Sequence, residues 1–193
     1  MREVLMKVYT YNELSEKAKE QARTTYGSFD SGDAAVLNDC FIEELKEFGY
    51  KDVDISWQLG YCQGDGVSFT WRGEGEELLS LCSRVFGGNI PRNIKHILPL
   101  IEVVYQRRDS RYCNVFTVEV VTDFKFDGCR DLSGRFIDAV TDLRKVLNDD
   151  RHTMCRKLEK IGYAQIEQVE SEESFKERCE GNDYEFYADG TMY

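Results

Sequence analysis

The segment Asp54–Gly73, with the sequence DISWQLGYCQGDGVSFTWRG, decides the fold. Two aromatic-rich runs, Ile55–Leu59 and Val67–Trp71, flank a glycine-rich connection. Alternate residues of the second run are apolar, which is typical of a strand with one buried face. The glycines of the connection permit the positive backbone dihedrals that a tight turn needs. The segment therefore predicts a central β-hairpin.

A second pair of apolar runs, Leu100–Gln106 and Cys113–Phe126, predicts another long hairpin that turns at Arg107–Arg111. Within it, Val115–Val121 is β-branched or aromatic at nearly every position. Such a run is typical of a central strand that is buried on both faces. We therefore expect an antiparallel sheet built from the two hairpins.

Helical periodicity surrounds these hairpins. A first helix is capped by Thr10 or Asn12 and ends at Gly27, and a strand over Val4–Tyr11 precedes it. Further helices are predicted over residues 34–48, 76–86, 131–161 (with a break at 148–150 as an alternative) and 171–179. An Asp-Gly turn within Tyr184–Tyr193 predicts a short hairpin. The order favours an α+β fold with helices packed mainly on one face of the sheet.

The domain organisation follows from this order. Residues 1–166 are predicted to form an α+β core domain. Residues 167–193 are predicted to add an acidic C-terminal helix and a short hairpin packed on the same domain. Apolar residues make up 41% of the 193, enough for a substantial core.

Cysteine usage and the N-terminus bear on location. No two of the seven cysteines are closer than sixteen residues, so paired zinc-binding knuckles are excluded. An odd number of cysteines without a secretory signal predicts free thiols in a cytoplasm. No run approaches the length of a membrane span, so no membrane partner is expected.

The usual nucleotide, hydrolase and metalloprotease motifs are absent, so we expect no cofactor and favour a non-enzymatic role.

The net charge is −11, which disfavours direct nucleic-acid binding because phosphates would be repelled. Nine acidic and two basic residues lie in Glu167–Tyr193. This segment is either a solubilising surface or a surface that docks on a basic partner or imitates the charge of a nucleic acid. The residues proposed for such docking are Glu172, Glu173, Glu177, Tyr184 and Tyr187.

The glycine-rich connection is the first candidate site, through Tyr61, Cys62, Gln63 and Asp65. Asp65 can serve as a metal ligand, a general base or a hydrogen-bond acceptor, or it can simply cap its own turn. Cys62 is either a nucleophile, with His96 or His152 as its base, or a small apolar residue. No catalytic residue or metal ligand is assigned here.

Basic side chains form the second candidate site. Arg107, Arg108 and Arg111 crowd one hairpin turn. A second basic cluster on the long helix contains Arg151, His152, Arg156, Lys157 and Lys160. Each cluster alone is typical of a solvated face. If the two meet in space, they predict a pocket for a small anionic ligand.

Three segments carry a resemblance that spans most of the chain: Val8–Ala22, Gly60–Phe69, and Asn182–Phe186 with Asp189-Gly190. They resemble small acidic accessory proteins of bacteriophages and prophages, some of which are labelled antitoxin-like. Residues 89–126 depart from that pattern. The resemblance implies a phage protein in the bacterial host cytoplasm that acts on host machinery or host defence. It carries no catalytic residue to this chain.

Three functions are consistent with these observations. The first is a phage or prophage inhibitor that binds a host protein with a basic surface, such as a nucleic-acid-handling defence enzyme, in an anti-CRISPR-like role. The second is a protein that sequesters a nucleotide signal between the Tyr61–Gly66 loop and the arginine clusters. The third is a small metal-dependent hydrolase or nuclease that uses Asp65.

Overall fold

The computed structural model describes residues 6–109, 111–125 and 134–193. The fold is α+β, as the sequence predicts. In chain order the elements are β1 (Tyr9–Thr10), α1 (Glu16–Tyr26), α2 (Ser31–Glu47), β2 (Asp54–Gln58), β3 (Gly66–Gly73), α3 (Gly75–Val85), α4 (Arg92–Ile97), β4 (Ile101–Arg107), β5 (Val118–Phe124), α5 (Gly134–Val169), α6 (Glu172–Gly181) and β6 (Glu185–Phe186).

The chain divides into two compact units. The central unit is Asn38–Gly162, and the terminal unit combines the chain up to Leu37 with Tyr163–Tyr193. Helices α2 and α5 contribute residues to both units. The division predicted from the sequence, at residue 167, stays a prediction.

The central unit is built on a four-stranded antiparallel sheet with the order β2-β3-β4-β5. Both predicted hairpins are present, and Ile55 pairs with Phe69 in the first and Tyr105 with Val120 in the second. The prediction that Val115–Val121 forms a central strand was wrong, because β5 lies at the edge of the sheet. Its apolar residues Val118 and Val120 are buried on one face only, and Glu119 between them is half-exposed.

Aromatic rings fill the buried face of this sheet. Tyr50 packs edge-on against Phe69 and Trp71, with centroid distances of 5.0 and 5.4 Å. The Tyr105 hydroxyl donates a hydrogen bond to the Leu147 carbonyl oxygen of α5 at 3.3 Å. Helix α5 thus covers this face. It continues without a break through residues 148–150, because Asn148 and Asp150 bond to arginine side chains and neither is a helix breaker.

The terminal unit has its own small core, which consists of Tyr11, Leu14, Ala18, Ala22, Phe175, Cys179 and Phe186. Thr10 and Glu13 form the predicted capping box, but it starts a single 3-10 turn, and Ser15 caps α1 instead. Strand β1 is shorter than predicted and pairs with β6. The predicted C-terminal turn is confirmed by the Tyr187 N–H, which donates to the Thr191 carbonyl oxygen at 2.8 Å.

Two chain-wide expectations concern cysteines and membranes. The six cysteines among the described residues are free, and Cys129 lies outside those residues. In the part of the chain that the structure describes, no helix combines the length and apolar character needed to cross a bilayer.

Candidate anion-binding groove beside an edge strand

A groove of about 390 Å³ lies between strand β5 and helix α5 in the central unit. Its volume falls in the range of small-ligand sites, roughly 300–1,000 Å³. We call it the β5–α5 groove. It is lined by Arg108, Phe116, Val118, Glu119, Val120, Thr141, Arg144, Lys145, Asn148, Arg151 and His152.

The helical side of the groove follows from sequence spacing. Residues three or four apart lie on the same face of a helix, and the lining residues of α5 recur at that spacing. They are Thr141, Arg144, Lys145, Asn148, Arg151 and His152. The basic cluster predicted on this helix contained Arg151 and His152 but not Arg144 or Lys145. Counting back from Arg151 in steps of three or four residues, the spacing of one helix face, leads to Arg144 and Lys145, so this spacing could have predicted them.

The groove is positively charged in a protein whose net charge is −11. Four permanently basic side chains line it together with a single carboxylate, Glu119. Arg108 forms an ion pair with Glu119, and this hydrogen bond lowers the pKa of Glu119 and raises that of Arg108. Among the described residues, Arg144, Lys145 and Arg151 form no ion pair. An anionic group therefore meets an excess of basic side chains over carboxylates in the groove lining.

Arg151 differs from the other basic residues of the groove because it is buried, with 1% of the residue exposed. It donates to the Val115 carbonyl oxygen and to Asn148 Oδ1, both at 2.8 Å. Its Nε atom has no hydrogen-bonding partner within the described ranges. Burial lowers the pKa of Arg151, since removal from water disfavours the charged form. A buried charge without a counterion is costly, and a bound anion would offset that cost.

Arg144 connects the helix to the edge strand. Its Nε atom donates to the Val120 carbonyl oxygen at 3.0 Å. Arg144 and Lys145 are both exposed, so water and ligands can reach their charges. These two residues form the solvent-accessible part of the positive wall, and Arg151 forms the buried part.

Two rings close one end of the groove. The Phe116 ring is 76% exposed and meets His152 edge-on, with centroids 5.9 Å apart. Partial burial, followed by the charges of Arg151 and Arg156, lowers the pKa of His152. His152 is therefore neutral at neutral pH in the unliganded protein. An exposed Phe beside a neutral imidazole gives the groove an apolar end.

The two basic clusters identified in the sequence meet in part. Arg108 from the hairpin turn lines the same groove as Arg151 and His152. Arg107 and Arg111 do not line it, and Arg111 pairs with Asp109 at 2.9 Å. Of the basic residues further along α5, Lys157 pairs with Glu44, and Arg156 and Lys160 lie outside the lining.

The glycine-rich connection lies outside the groove lining. The Asp65 carboxylate accepts hydrogen bonds from the N–H groups of Gly60 and Cys62, at 2.6 and 2.7 Å. This is the geometry of a turn cap. The Cys62 thiol donates to the Gly60 carbonyl oxygen at 3.4 Å, and no described histidine is hydrogen-bonded to it. Tyr61 and Gln63 are exposed, and whether any of these residues binds a ligand stays a prediction.

The proposed acidic docking surface belongs to the terminal unit. Glu172, Glu173 and Glu177 are exposed on α6 and form no ion pair with another described residue. Tyr184 and Tyr187 are half-buried, and the Tyr187 ring meets Tyr193 edge-on with centroids 5.7 Å apart. The three carboxylates are therefore available to a partner.

Among the described residues, no cluster of three or more His, Cys, Asp or Glu side chains is suited to hold a metal ion. Comparisons of the chain with protein-family models, curated proteins and solved structures found no match. The phage-protein resemblance therefore stays a prediction.

Proposed function

We propose that this protein is a binding protein that holds an anionic group of its ligand in the β5–α5 groove. The observation that carries the proposal is Arg151, a buried guanidinium that lines the groove and has no carboxylate partner among the described residues. Arg144 and Lys145 extend the same positive wall to solvent. Charge-assisted hydrogen bonds from such groups are about twice as strong as neutral ones.

A nucleotide is the small-molecule form of this proposal. The sequence suggested that a nucleotide signal would lie between the Tyr61–Gly66 loop and the arginine clusters. The groove supports a different placement, with phosphates at Arg144, Lys145 and Arg151. The exposed Phe116 ring then offers a surface for a base, and stacking on an aromatic ring contributes about 1–3 kcal/mol.

The test is a calorimetric titration with inorganic pyrophosphate and with ADP. Lys145→Gln removes one exposed charge from the groove and should weaken binding by about tenfold or more, since a hydrogen bond to a charged group contributes roughly 1.5–3 kcal/mol. Lys160→Gln is the matched control, because Lys160 is an exposed lysine of α5 outside the groove. Equal affinity in the two variants would contradict the proposal.

A second candidate function is favoured by three exposed carboxylates of α6 that form no ion pair with another described residue. In this case the protein is a phage inhibitor that docks its acidic surface on a basic host protein. The triple variant E172K/E173K/E177K should slow association with a partner captured from bacterial lysate, and the slowing should fade as salt rises. If the triple variant associates with the partner at the wild-type rate in low salt and its melting temperature is unchanged, the carboxylates of α6 form a solubilising surface and not a docking surface.

A further inference from the structure

His152 lies where the positive wall of the β5–α5 groove meets its apolar end. It lines the groove directly after Arg151 in the sequence of α5. Its side chain is half-buried, and its ring meets the exposed Phe116 ring edge-on. An anionic group held by Arg151 therefore shares the groove with the imidazole.

In the empty groove, the charges on α5 oppose protonation of His152. Arg151 is its neighbour in the chain and Arg156 lies one helical turn further on, so both place positive charge near the imidazole. Asp149 acts in the opposite direction. Partial burial, followed by the two arginines, lowers the pKa of His152 from its ordinary value of 6.5.

The other charged and titratable groups around this part of the groove keep their charge near neutral pH. On the strand side these are Arg108 and Glu119, which form an ion pair that lowers the pKa of Glu119. The Cys155 thiol lies close to Arg151, and burial raises its pKa to about 11. Histidine is the side chain that ordinarily changes its charge near neutral pH. His152 is therefore the group of the groove lining that can bind a proton in this range.

A bound anion would reverse the balance of charge at His152. A negative charge within about 4–6 Å favours the protonated form of a base and raises its pKa by roughly 1–3 units. The interaction energy is proportional to the charge of the ligand. A terminal phosphate carries about 1.5–2 negative charges at neutral pH, whereas a phosphodiester or a carboxylate carries a single one. A terminal phosphate would therefore stabilise the imidazolium more strongly than these groups would.

From these observations we infer that the β5–α5 groove takes a ligand with a terminal phosphate, and that His152 takes up a proton from solvent when this group binds. The imidazolium adds a positive charge and a hydrogen-bond donor to those of Arg144, Lys145 and Arg151. This role of His152 rests on the proposed function, because it requires an anion in the same groove. The proton makes affinity depend on pH and distinguishes doubly charged from singly charged anions.

The sign of the pH dependence follows from this uptake. Above the pKa of His152 in the complex, the imidazole is neutral with and without ligand, so affinity does not depend on pH. As the pH falls below that value, affinity rises by up to about tenfold per pH unit, because one proton is bound with each ligand. Below the pKa of the empty groove, which lies under 6.5, His152 is protonated in both states and affinity levels off.

The experiment uses the full chain, with sulfate and methyl sulfate as probes at constant ionic strength. Sulfate stands in for a terminal phosphate but keeps two charges from about pH 5.5 to about pH 8.5, the range in which histidine titrates, and methyl sulfate carries one. Nuclear magnetic resonance follows the two histidines of the chain, His96 and His152. His96 is exposed on α4 and lies outside the groove lining. Saturating sulfate should raise the titration midpoint of His152 by about one pH unit or more and leave that of His96 unchanged.

Three variants separate the proton site from the charge of the groove. Sulfate affinity of the wild type should rise by about tenfold or more as the pH falls across this range. His152→Gln removes the proton site, so its sulfate affinity should be the same at both ends of the range. His96→Gln is the matched control and should keep the wild-type pH dependence. Lys145→Gln removes a charge but not the proton site, so it should weaken sulfate binding at every pH.

The outcomes distinguish the role of His152 from the proposed function. If sulfate binding depends on Lys145 but the midpoint of His152 does not move, proton uptake is wrong and the proposed function stands. If the pH dependence persists in His152→Gln, the assignment of the proton to His152 is wrong. If methyl sulfate moves the midpoint as far as sulfate does, the preference for a terminal phosphate is wrong. If neither sulfate, pyrophosphate nor ADP binds with dependence on Lys145, the proposed function itself fails.

Discussion

Arg84 donates two hydrogen bonds to the carboxylate of Asp150, at 2.9 and 2.6 Å, and so ties α3 to α5. The same carboxylate accepts a hydrogen bond of 2.5 Å from the Tyr50 hydroxyl. The Arg84 guanidinium also lies 5.5 Å from the ring centroid of Phe48. Because Asp150 is only 14% exposed and Arg84 is 31% exposed, water weakens this pair less than a surface pair.

Asp150→Ala should therefore lower the free energy of unfolding by about 2–4 kcal/mol, since it leaves a half-buried guanidinium and a buried hydroxyl without their acceptor. Urea denaturation followed by circular dichroism measures the change. Glu20→Ala is the control, because it removes an exposed i,i+3 partner of Arg23 and should cost less than about 1 kcal/mol. Equal costs for the two variants would show that the Asp150 network contributes little.

Alkaline pH should destabilise the protein through Tyr50 and Tyr105. Burial raises the pKa of both hydroxyls, and for Tyr50 the adjacent Tyr105 and Asp150 raise it further. The folded state therefore holds these protons more tightly than the unfolded state does. The two hydroxyls contribute their full stabilisation below about pH 10, which is the pKa of tyrosine in the unfolded chain. Above that pH, each hydroxyl loses up to about 1.4 kcal/mol of its stabilisation for every unit of pH.

Urea midpoints measured on both sides of about pH 10 test this expectation in the wild type and in Tyr50→Phe. The variant lacks one titrating hydroxyl, so its midpoint should fall less steeply with pH. The buried thiols titrate in both proteins and cancel in the comparison. Parallel curves would rule out Tyr50 as a source of the alkaline loss.

Thiol reactivity should divide the cysteines into two classes. Burial raises the pKa of Cys82 to about 12 and those of Cys155 and Cys179 to about 11, whereas Cys40 and Cys62 are exposed. The thiolate is the reactive form, so a rise of two pKa units lowers the rate about a hundredfold before access is considered. Alkylation of the folded protein, resolved by peptide mass spectrometry, should label Cys40 and Cys62 first. Early labelling of Cys82 or Cys155 would contradict this.

Asp65 should behave as a turn cap. Asp65→Ala removes the acceptor of two backbone N–H groups and should cost about 1–2 kcal/mol in thermal or urea unfolding. Asp65→Asn retains one acceptor oxygen and should cost less. If Asp65→Ala unfolds at the wild-type midpoint and instead abolishes a binding activity, Asp65 acts on a ligand and not on the turn.

Gly190 should tolerate no side chain. Its φ is +90°, and a Cβ atom there would overlap the carbonyl oxygen of Ala18 in α1. Gly190→Ala should therefore cost more than about 2 kcal/mol, because backbone strain and a backbone clash combine. Gly181→Ala is the control, since its φ is ordinary and no atom of the described residues lies within 4 Å of the added Cβ. A neutral Gly190→Ala would mean that the C-terminal turn does not pack on α1 in solution.

The hairpin of Asp54–Gly73 was predictable because its alternation and its glycines are local signals. Both strands lie within a residue or two of their predicted bounds, and Gly64 and Gly66 have the positive φ values that were expected. The Asp-Gly turn at Asp189 was predictable for the same reason. Features of this kind depend on neighbouring residues, so the sequence alone is enough to find them.

The position of β5 and the groove beside it were not predictable in this way. The run Val115–Val121, which is β-branched or aromatic at nearly every position, is consistent with either a central or an edge strand, and only the order of the strands distinguishes the two. The burial of Arg151 depends on the neighbouring hairpin, through the Val115 carbonyl oxygen. The sequence placed Arg108 and Arg151 in two clusters, and the fold brought both to one groove.

The chain order of the two units has a consequence for folding during synthesis. The terminal core joins Tyr11 and Ala22 to Phe175 and Phe186, so its first half lacks these two phenylalanines until residues 175–186 have left the ribosome. Residues 38–162 include all four strands of the main sheet, so that unit can form while synthesis continues. Residues 6–37 are thus synthesised before the central unit but belong to the unit that is completed after it. Until then, the apolar side chains of Tyr11, Leu14 and Ala22 lack the residues that bury them in the folded protein.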